Sequence, residues 1–359
     1  MTVVYAVLAI IISLLAVVGL HEAGHAIAAR IFAVKIKRIA IGFGKPLLKK
    51  TSRRGIEWVW GLWPLGGYVL LLNSRHHAVE PKNKRFCFDK KHVWQRIIIL
   101  SAGALVNILV AWFAFLFIYL IGYKTILPVS AYVRPNSIAA QAGMQQKDRF
   151  ISIAGQPAES WRQVAMAFIM NLGEKDVLVE IMDPAGKKRT AYFDLTRWEY
   201  NRKNNTLFKL IGVKPDTDKK YHLKISGLPV WQAARKAFEK LYELIAFYLV
   251  LLKQLAAGVL PISVLLGPLG LFTEMIASFT QGLRMFLYFI GNLSLAVAVI
   301  NLLPIPGLDG GSIFYAMIEK IRGRPMSIAM EILLHRLAII LFFVFLVQLL
   351  MNDMQRYLQ

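Results

Sequence analysis

Cysteine is nearly absent: Cys87 is the one thiol in 359 residues. A lone cysteine excludes an intrachain disulfide framework and any CxxC metal or redox motif. Charge is scarce too, at 18% of residues against 57% hydrophobic. That balance excludes an ordinary soluble domain and points to a polytopic membrane protein. The charge that is present lacks acid: 43 Lys and Arg face 21 Asp and Glu, a formal charge of +22. The basic residues collect beside apolar runs, where they set topology and meet lipid headgroups, so no nucleic-acid partner is expected. A second copy of any segment and low-complexity tracts are also missing. The first apolar run, Thr2 to Leu20, has no positive region before it and continues into "HEAGH". It reads as a retained span rather than a signal peptide.

Four segments have the length and apolarity of spans, roughly 3–29, 96–122, 284–304 and 333–352. The last must extend backwards past Arg336, because its charge-free part is short. Residues 35–54 hold eight Lys or Arg and no acid, and residues 82–96 hold six against Asp89. The positive-inside rule puts the loop 35–95 in the cytoplasm, 123–283 outside, 305–332 inside and the C-terminus outside. The stretch 231–273 begins as an amphipathic helix suited to the membrane surface and continues as a Pro/Gly-broken loop, "LPISVLLGPLGLF"; a membrane span is the alternative. Between the second and third spans, residues 126–195 alternate strand-like pieces with glycine turns, a helix over Arg162–Leu172 and a hairpin turned at Pro184–Gly186. The pattern, chiefly "SIAAQAGMQQKDRFISIAG", resembles a bacterial PDZ domain; any small β-rich domain is the alternative. Residues 196–229 read as a polar connector holding one strand-like piece, "LFKLIGVKP".

The chemistry begins at the end of the first span. His21 and His25 are four residues apart, so a helix sets both imidazoles on one face, as a Zn²⁺ ion requires. Glu22 lies one step around, where it can act as general base on a zinc-activated water. Ionisable groups at membrane depth are costly, so a cluster of them there is a functional signal. A catalytic zinc takes a third protein ligand and keeps an open position. Asp309, in "NLLPIPGLDGG" at the end of the third span, is the candidate, on the same membrane side as HEAGH. A capping role for the following helix is the alternative. Asn301 can donate a hydrogen bond to a substrate carbonyl or serve as a polar helix contact. Small side chains at Ala23 and Gly24 suggest room for a substrate beside the metal. His76, His77, His92, His222 and His335 carry no assigned role.

HEAGH, "IGFGKPL", "PLGGYVLLL", "VWQRIIILSAGALVNILVAW", "GPLG" and NLLPIPGLDGG stand in one order along nearly the whole chain. Together they resemble the site-2 protease family of intramembrane zinc metalloproteases, in its bacterial envelope-stress form. The resemblance implies that His21, His25 and Asp309 bind Zn²⁺, that Glu22 is the general base and that Asn301 contacts substrate. It implies a membrane-reentrant β-element over 36–72 whose edge, with Gly66, Gly67, Tyr68, Val69 and Leu70, pairs with an extended substrate. The substrates implied are single-span membrane proteins, such as an anti-sigma factor or signal-peptide remnants. The setting implied is a monomer in the bilayer of a bacterial inner membrane, its PDZ-like domain outside and its active site near the cytoplasmic face. One PDZ-like segment is found where many relatives carry two.

The expected fold class is a polytopic α-helical membrane protein of about four transmembrane helices, with a membrane-associated β-element and one inserted PDZ-like α/β domain. Its parts are 1–35 with HExxH, 36–95 with the re-entrant β loop, 96–122 as second span and 126–195 as the PDZ-like domain. They continue with 196–283 as connector, amphipathic helix and GPLG loop, 284–311 as third span with the LDG motif, and 312–359 as cytoplasmic segment and fourth span. Two other classes compete with an enzyme. A membrane scaffold holding partners through the PDZ-like domain has no need of Glu22, and a metal transporter needs more polar residues within the spans.

Overall fold

A computed structural model describes residues 2–53, 55–75, 78–196, 198 and 207–358. The chain divides into two units. One runs to Ile118 and takes in Arg235–Ile245 and the chain from Leu266 on; the other is Tyr119–Ala234 with Ala246–Leu265.

The first unit opens with α1 (Thr2–Leu14) and α2 (Leu20–Ile31), joined without a break by a π-helical turn at Leu15–Gly19. An apolar run in lipid must satisfy its own backbone, and a helix does so. The π turn adds a residue to the helical repeat and so resets which face α2 presents, a feature common near functional sites. Strands β1 (Ile36–Thr51) and β2 (Glu57–Leu71) follow as an antiparallel pair. Their register runs from Ile36 opposite Leu71 to Ile41 opposite Gly67, then from Pro46 opposite Gly61 to Thr51 opposite Glu57. Residues 38–41 also lie beside 57–60, so both long strands fold over on themselves. Gly42 and Gly44, with φ of 85° and 86°, make the bend in β1 possible. Gly67–Leu71 is left pairing on one side, with Ile36–Ile41, and has no second strand among the described residues. Beyond β2, burial works against ionisation of Asp89, but the N–H and hydroxyl of Ser74 donate to it at 2.7 and 2.5 Å. They hold its carboxyl below the usual range and pin the loop.

Helix α3 (Val93–Ile121) leads to the second unit. There β3 (Tyr123–Ile126), β4 (Ser130–Val133), α4 (Ile138–Gln141), β5 (Arg149–Ile153), β6 (Gln156–Pro157), α5 (Trp161–Met170), β7 (Val177–Met182) and β8 (Lys188–Phe193) follow in turn. The main sheet has the order β6-β5-β7-β8. Alternation sets its faces: Val177, Val179 and Ile181 are buried, whereas Leu178 and Glu180 point outward. Phe150, Phe168 and Phe193 fill the core against α5. The reading of 196–229 as a connector with one strand-like piece needs correction. Leu207–Ile211 is helix α6, and only Val213–Pro215 is a strand, β9. Gly212, at φ 83°, turns the chain between them. Ile211 and Val213 belong to the core, β9 pairs with β4, and β10 (His222–Ile225) pairs with β3. Apolar burial, not polarity, decides this segment's place.

The remaining helices are α7 (Val230–Ala256), α8 (Pro268–Thr280), α9 (Leu283–Asn301), α10 (Asp309–Arg322) and α11 (Ile328–Tyr357). Among the described residues, five segments are long and apolar enough to cross a membrane: Val3–Ile31, Val93–Ile121, Ile262–Thr280, Leu283–Asn301 and Ile328–Arg356. The sequence reading has four of these; the addition is Ile262–Thr280. Its α-helical part, α8, is 13 residues, about 20 Å at 1.5 Å per residue, against a hydrocarbon core of about 30 Å.

The GPLG motif starts α8. The buried Asp353 carboxylate of α11 accepts from Gly267 N–H at 2.9 Å and from Gly270 N–H at 3.0 Å. It caps the helix from outside. Asp353→Ala leaves both donors unpaired in an apolar setting, at a cost of about 1–3 kcal/mol. The thermal unfolding midpoint of the variant in detergent falls below wild type; an unchanged midpoint contradicts the cap.

Candidate metal centre

Three side chains meet from two distant segments. His21 and His25 project from one face of α2, and Asp309 opens α10. Asp309 Oδ2 lies 3.2 Å from each Nε2, and the two Nε2 atoms are 3.1 Å apart. The break between α9 and α10, with Pro304 and Pro306, turns the chain so that Asp309 points back at α2. At its far end α10 is fastened to α3: buried Arg96 donates to Glu319 at 2.8 Å, and Lys320 stacks over Trp94. Arg75 similarly reaches α11, bonding Glu331 at 2.7 Å and the Met326 carbonyl at 2.5 Å.

The donors fit a zinc ion. Bonds of about 2.0–2.1 Å at tetrahedral angles put ligand atoms about 3.3 Å apart, close to the three separations found. His25 Nδ1 lies 2.8 Å from the Ile99 carbonyl. A carbonyl only accepts, so Nδ1 carries the proton and Nε2 turns its lone pair inward. Asp309 Oδ2 is buried without a hydrogen-bond partner among the described residues. Three acceptors aimed at one point repel unless a cation sits among them.

Helix α3 walls the site, and the sequence reading missed this. A Cβ on Gly103 would overlap His25 Nε2 and stand 2.7 Å from His21 Nε2. Only glycine lets α3 come this close. The signal was a glycine within a charge-free span, indistinguishable there from ordinary helix packing. Gly24 corrects a second expectation. Its Cβ would lie 2.6 Å from the Ala102 carbonyl and 2.9 Å from Val106 Cγ2. The small residue lets α2 pack on α3 and leaves no passage for substrate.

Glu22, buried on α2, does not join the three. It faces β2 instead: a Cβ on Gly67 would be 2.9 Å from Glu22 Cγ and 3.0 Å from Val18 Cγ1. Gly66, Gly67, Tyr68, Val69 and Leu70 all lie in β2. Tyr68 hydroxyl is 3.3 Å from Arg38 Nη1. Asn301 is the last residue of α9 and half-buried. His76 and His77 lie outside the described residues.

Comparison with known proteins decides the assignment. The profile of Peptidase family M50 matches residues 9–345. The chain belongs to this family. Its relatives include the Regulator of sigma E protease of Haemophilus influenzae, 27% identical over 96% of this chain and 98% of that one. Protease RseP of Yersinia pestis is 27% identical over 99% and 100%. A Vibrio cholerae protein named as a zinc metalloprotease is 25% identical over 97% and 98%. The aligned lengths of 433 and 450 residues for the first two exceed this chain's 359, so those relatives carry insertions. The protein is therefore a membrane metalloprotease of family M50, and zinc is its metal.

Gly103→Val drives a side chain into both imidazoles. Zinc content by plasma mass spectrometry falls from near one per chain to background; stoichiometric zinc in this variant contradicts the site.

Proposed function

We propose that this M50 protease cuts single-span membrane proteins within or near the bilayer, using His21, His25 and Asp309 to hold zinc and Glu22 to move protons. One observation carries the reading. The edge segment Gly67–Leu71, paired on one side with Ile36–Ile41, runs beside Glu22, with Gly67 against its side chain. A transmembrane helix hides its peptide groups, so it must unwind before cleavage, and strand addition at this edge would satisfy the freed backbone. Tyr68, Val69 and Leu70 continue that edge, and Gly66 begins it. Gly67 has no side chain to separate strand from base.

Zinc, when bound, supplies Lewis acidity toward the peptide carbonyl and toward water. Glu22 takes a proton from the attacking water as its oxygen bonds to the carbonyl carbon. It then delivers a proton to the amide nitrogen as the C–N bond breaks. Asn301, on the last turn of α9, donates to the substrate carbonyl and orients it.

The excess of Lys and Arg in the loop 35–95 supports a site near the cytoplasmic face of a bacterial inner membrane, with residues 126–195 on the outer side. The name of the Haemophilus influenzae relative ties that protein to sigma E. An anti-sigma factor or a signal-peptide remnant is accordingly the substrate class proposed here. The sheet and helix of the second unit form a PDZ-like domain that excludes substrates with bulky outer parts.

In proteoliposomes holding a single-span substrate, Glu22→Gln lowers the cleavage rate about 10²- to 10⁴-fold while zinc content stays near one. Equal cleavage by both proteins contradicts the proposal.

A further inference from the structure

Asn107 is the one asparagine in the 29 residues of α3, and it is 0% exposed. Its carboxamide nitrogen lies 3.3 Å from His21 Nδ1, and its carboxamide oxygen is buried with no partner among the described residues. Its backbone carbonyl accepts from the Ser294 hydroxyl of α9 at 3.0 Å, which fixes the residue's height along the bundle.

The nitrogen and oxygen of a carboxamide have nearly the same shape, so the partner's chemistry decides which one faces it. If the nitrogen donates to His21 Nδ1, the imidazole proton sits on Nε2. That proton would then point at His25 Nε2 and Asp309 Oδ2, where the metal belongs. Turning the carboxamide by half a revolution brings the stranded oxygen to His21. It then accepts from Nδ1–H, and Nε2 offers a lone pair.

We infer that Asn107 is a positioning residue of the zinc centre, its carboxamide oxygen fixing the tautomer and ring orientation of His21. It does for His21 what the Ile99 carbonyl does for His25. Ile99, Gly103 and Asn107 are spaced i, i+4 and i+8 and share one stripe of α3. The stripe presents a carbonyl, a gap and a carboxamide to the two ligands. Partners of this kind raise ligand basicity, and losing one weakens metal affinity about 10- to 100-fold.

The inference rests on the zinc reading above, and the test separates the two. Zinc affinity is measured in detergent by competition with a chelating indicator for wild type, His21→Ala, Asn107→Leu and Asn107→Asp. Leucine keeps the volume and loses the acceptor, whereas aspartate keeps the acceptor. Asn107→Leu is expected to raise the zinc dissociation constant about 10- to 100-fold, with Asn107→Asp within a few-fold of wild type. Asn107→Ala replaces the leucine variant in the comparison if the latter does not fold. Wild-type affinity in Asn107→Leu overturns the inference and leaves the zinc site standing. So does an equal loss in Asn107→Asp, which marks a role in packing alone. Wild-type affinity in His21→Ala removes the zinc reading and this inference with it.

Discussion

Two imidazoles and a carboxylate, held within about 3 Å of one another in an apolar helix bundle, cannot stay there uncompensated. Each buried charge or unpaired acceptor costs several kcal/mol. Their lone pairs converge, and a divalent cation turns that repulsion into coordination. Much of the first unit follows from keeping this arrangement intact. Helix α3 must come close enough to hold the histidines, so it carries glycine at 103 where the imidazoles lie. Helix α2 must meet α3 closely too, and Gly24 permits it.

The third side chain of the cluster arrives from a segment 284 positions after His25, and its placement is a matter of chain breaks and anchors. The prolines between α9 and α10 end one helix, and Asp309 opens the next. Arg96 with Glu319, and Lys320 with Trp94, hold the other end of α10 against α3. A rigid helix fixed at one end aims its first residue, so ion pairs remote from the metal help to set ligand geometry. The β-hairpin meets the same centre from another side. Its two strands fold over on themselves, with Pro46–Thr51 at one edge and Gly67–Leu71 at the other, and the second edge is the one beside Glu22.

The three side chains that meet were legible because their signals are local. His21 and His25 share a helical face by spacing alone, and Asp309 stands out in a loop broken by prolines and glycines. Residues acting through packing were not legible. Gly103 and Asn107 sit in an apolar helix whose sequence does not say which face meets α2. The role of the GPLG motif needed a partner 83 residues later, Asp353, whose position in an apolar helix otherwise looks unfavourable. Residues 207–225 look polar in sequence, yet Ile211 and Val213 complete a core whose other members come from far up the chain. In each case the missing information was which distant surface a residue faces.

Zinc-edge X-ray absorption on the purified protein tests directly whether a single zinc is held by two imidazoles of α2 and the carboxylate that opens α10. The expected first shell is nitrogen and oxygen at about 2.0–2.2 Å, with imidazole outer-shell scattering from two rings and no sulfur, altered in Asp309→Ala. A shell containing sulfur, a shell of six oxygens, or a spectrum unchanged in Asp309→Ala would contradict it.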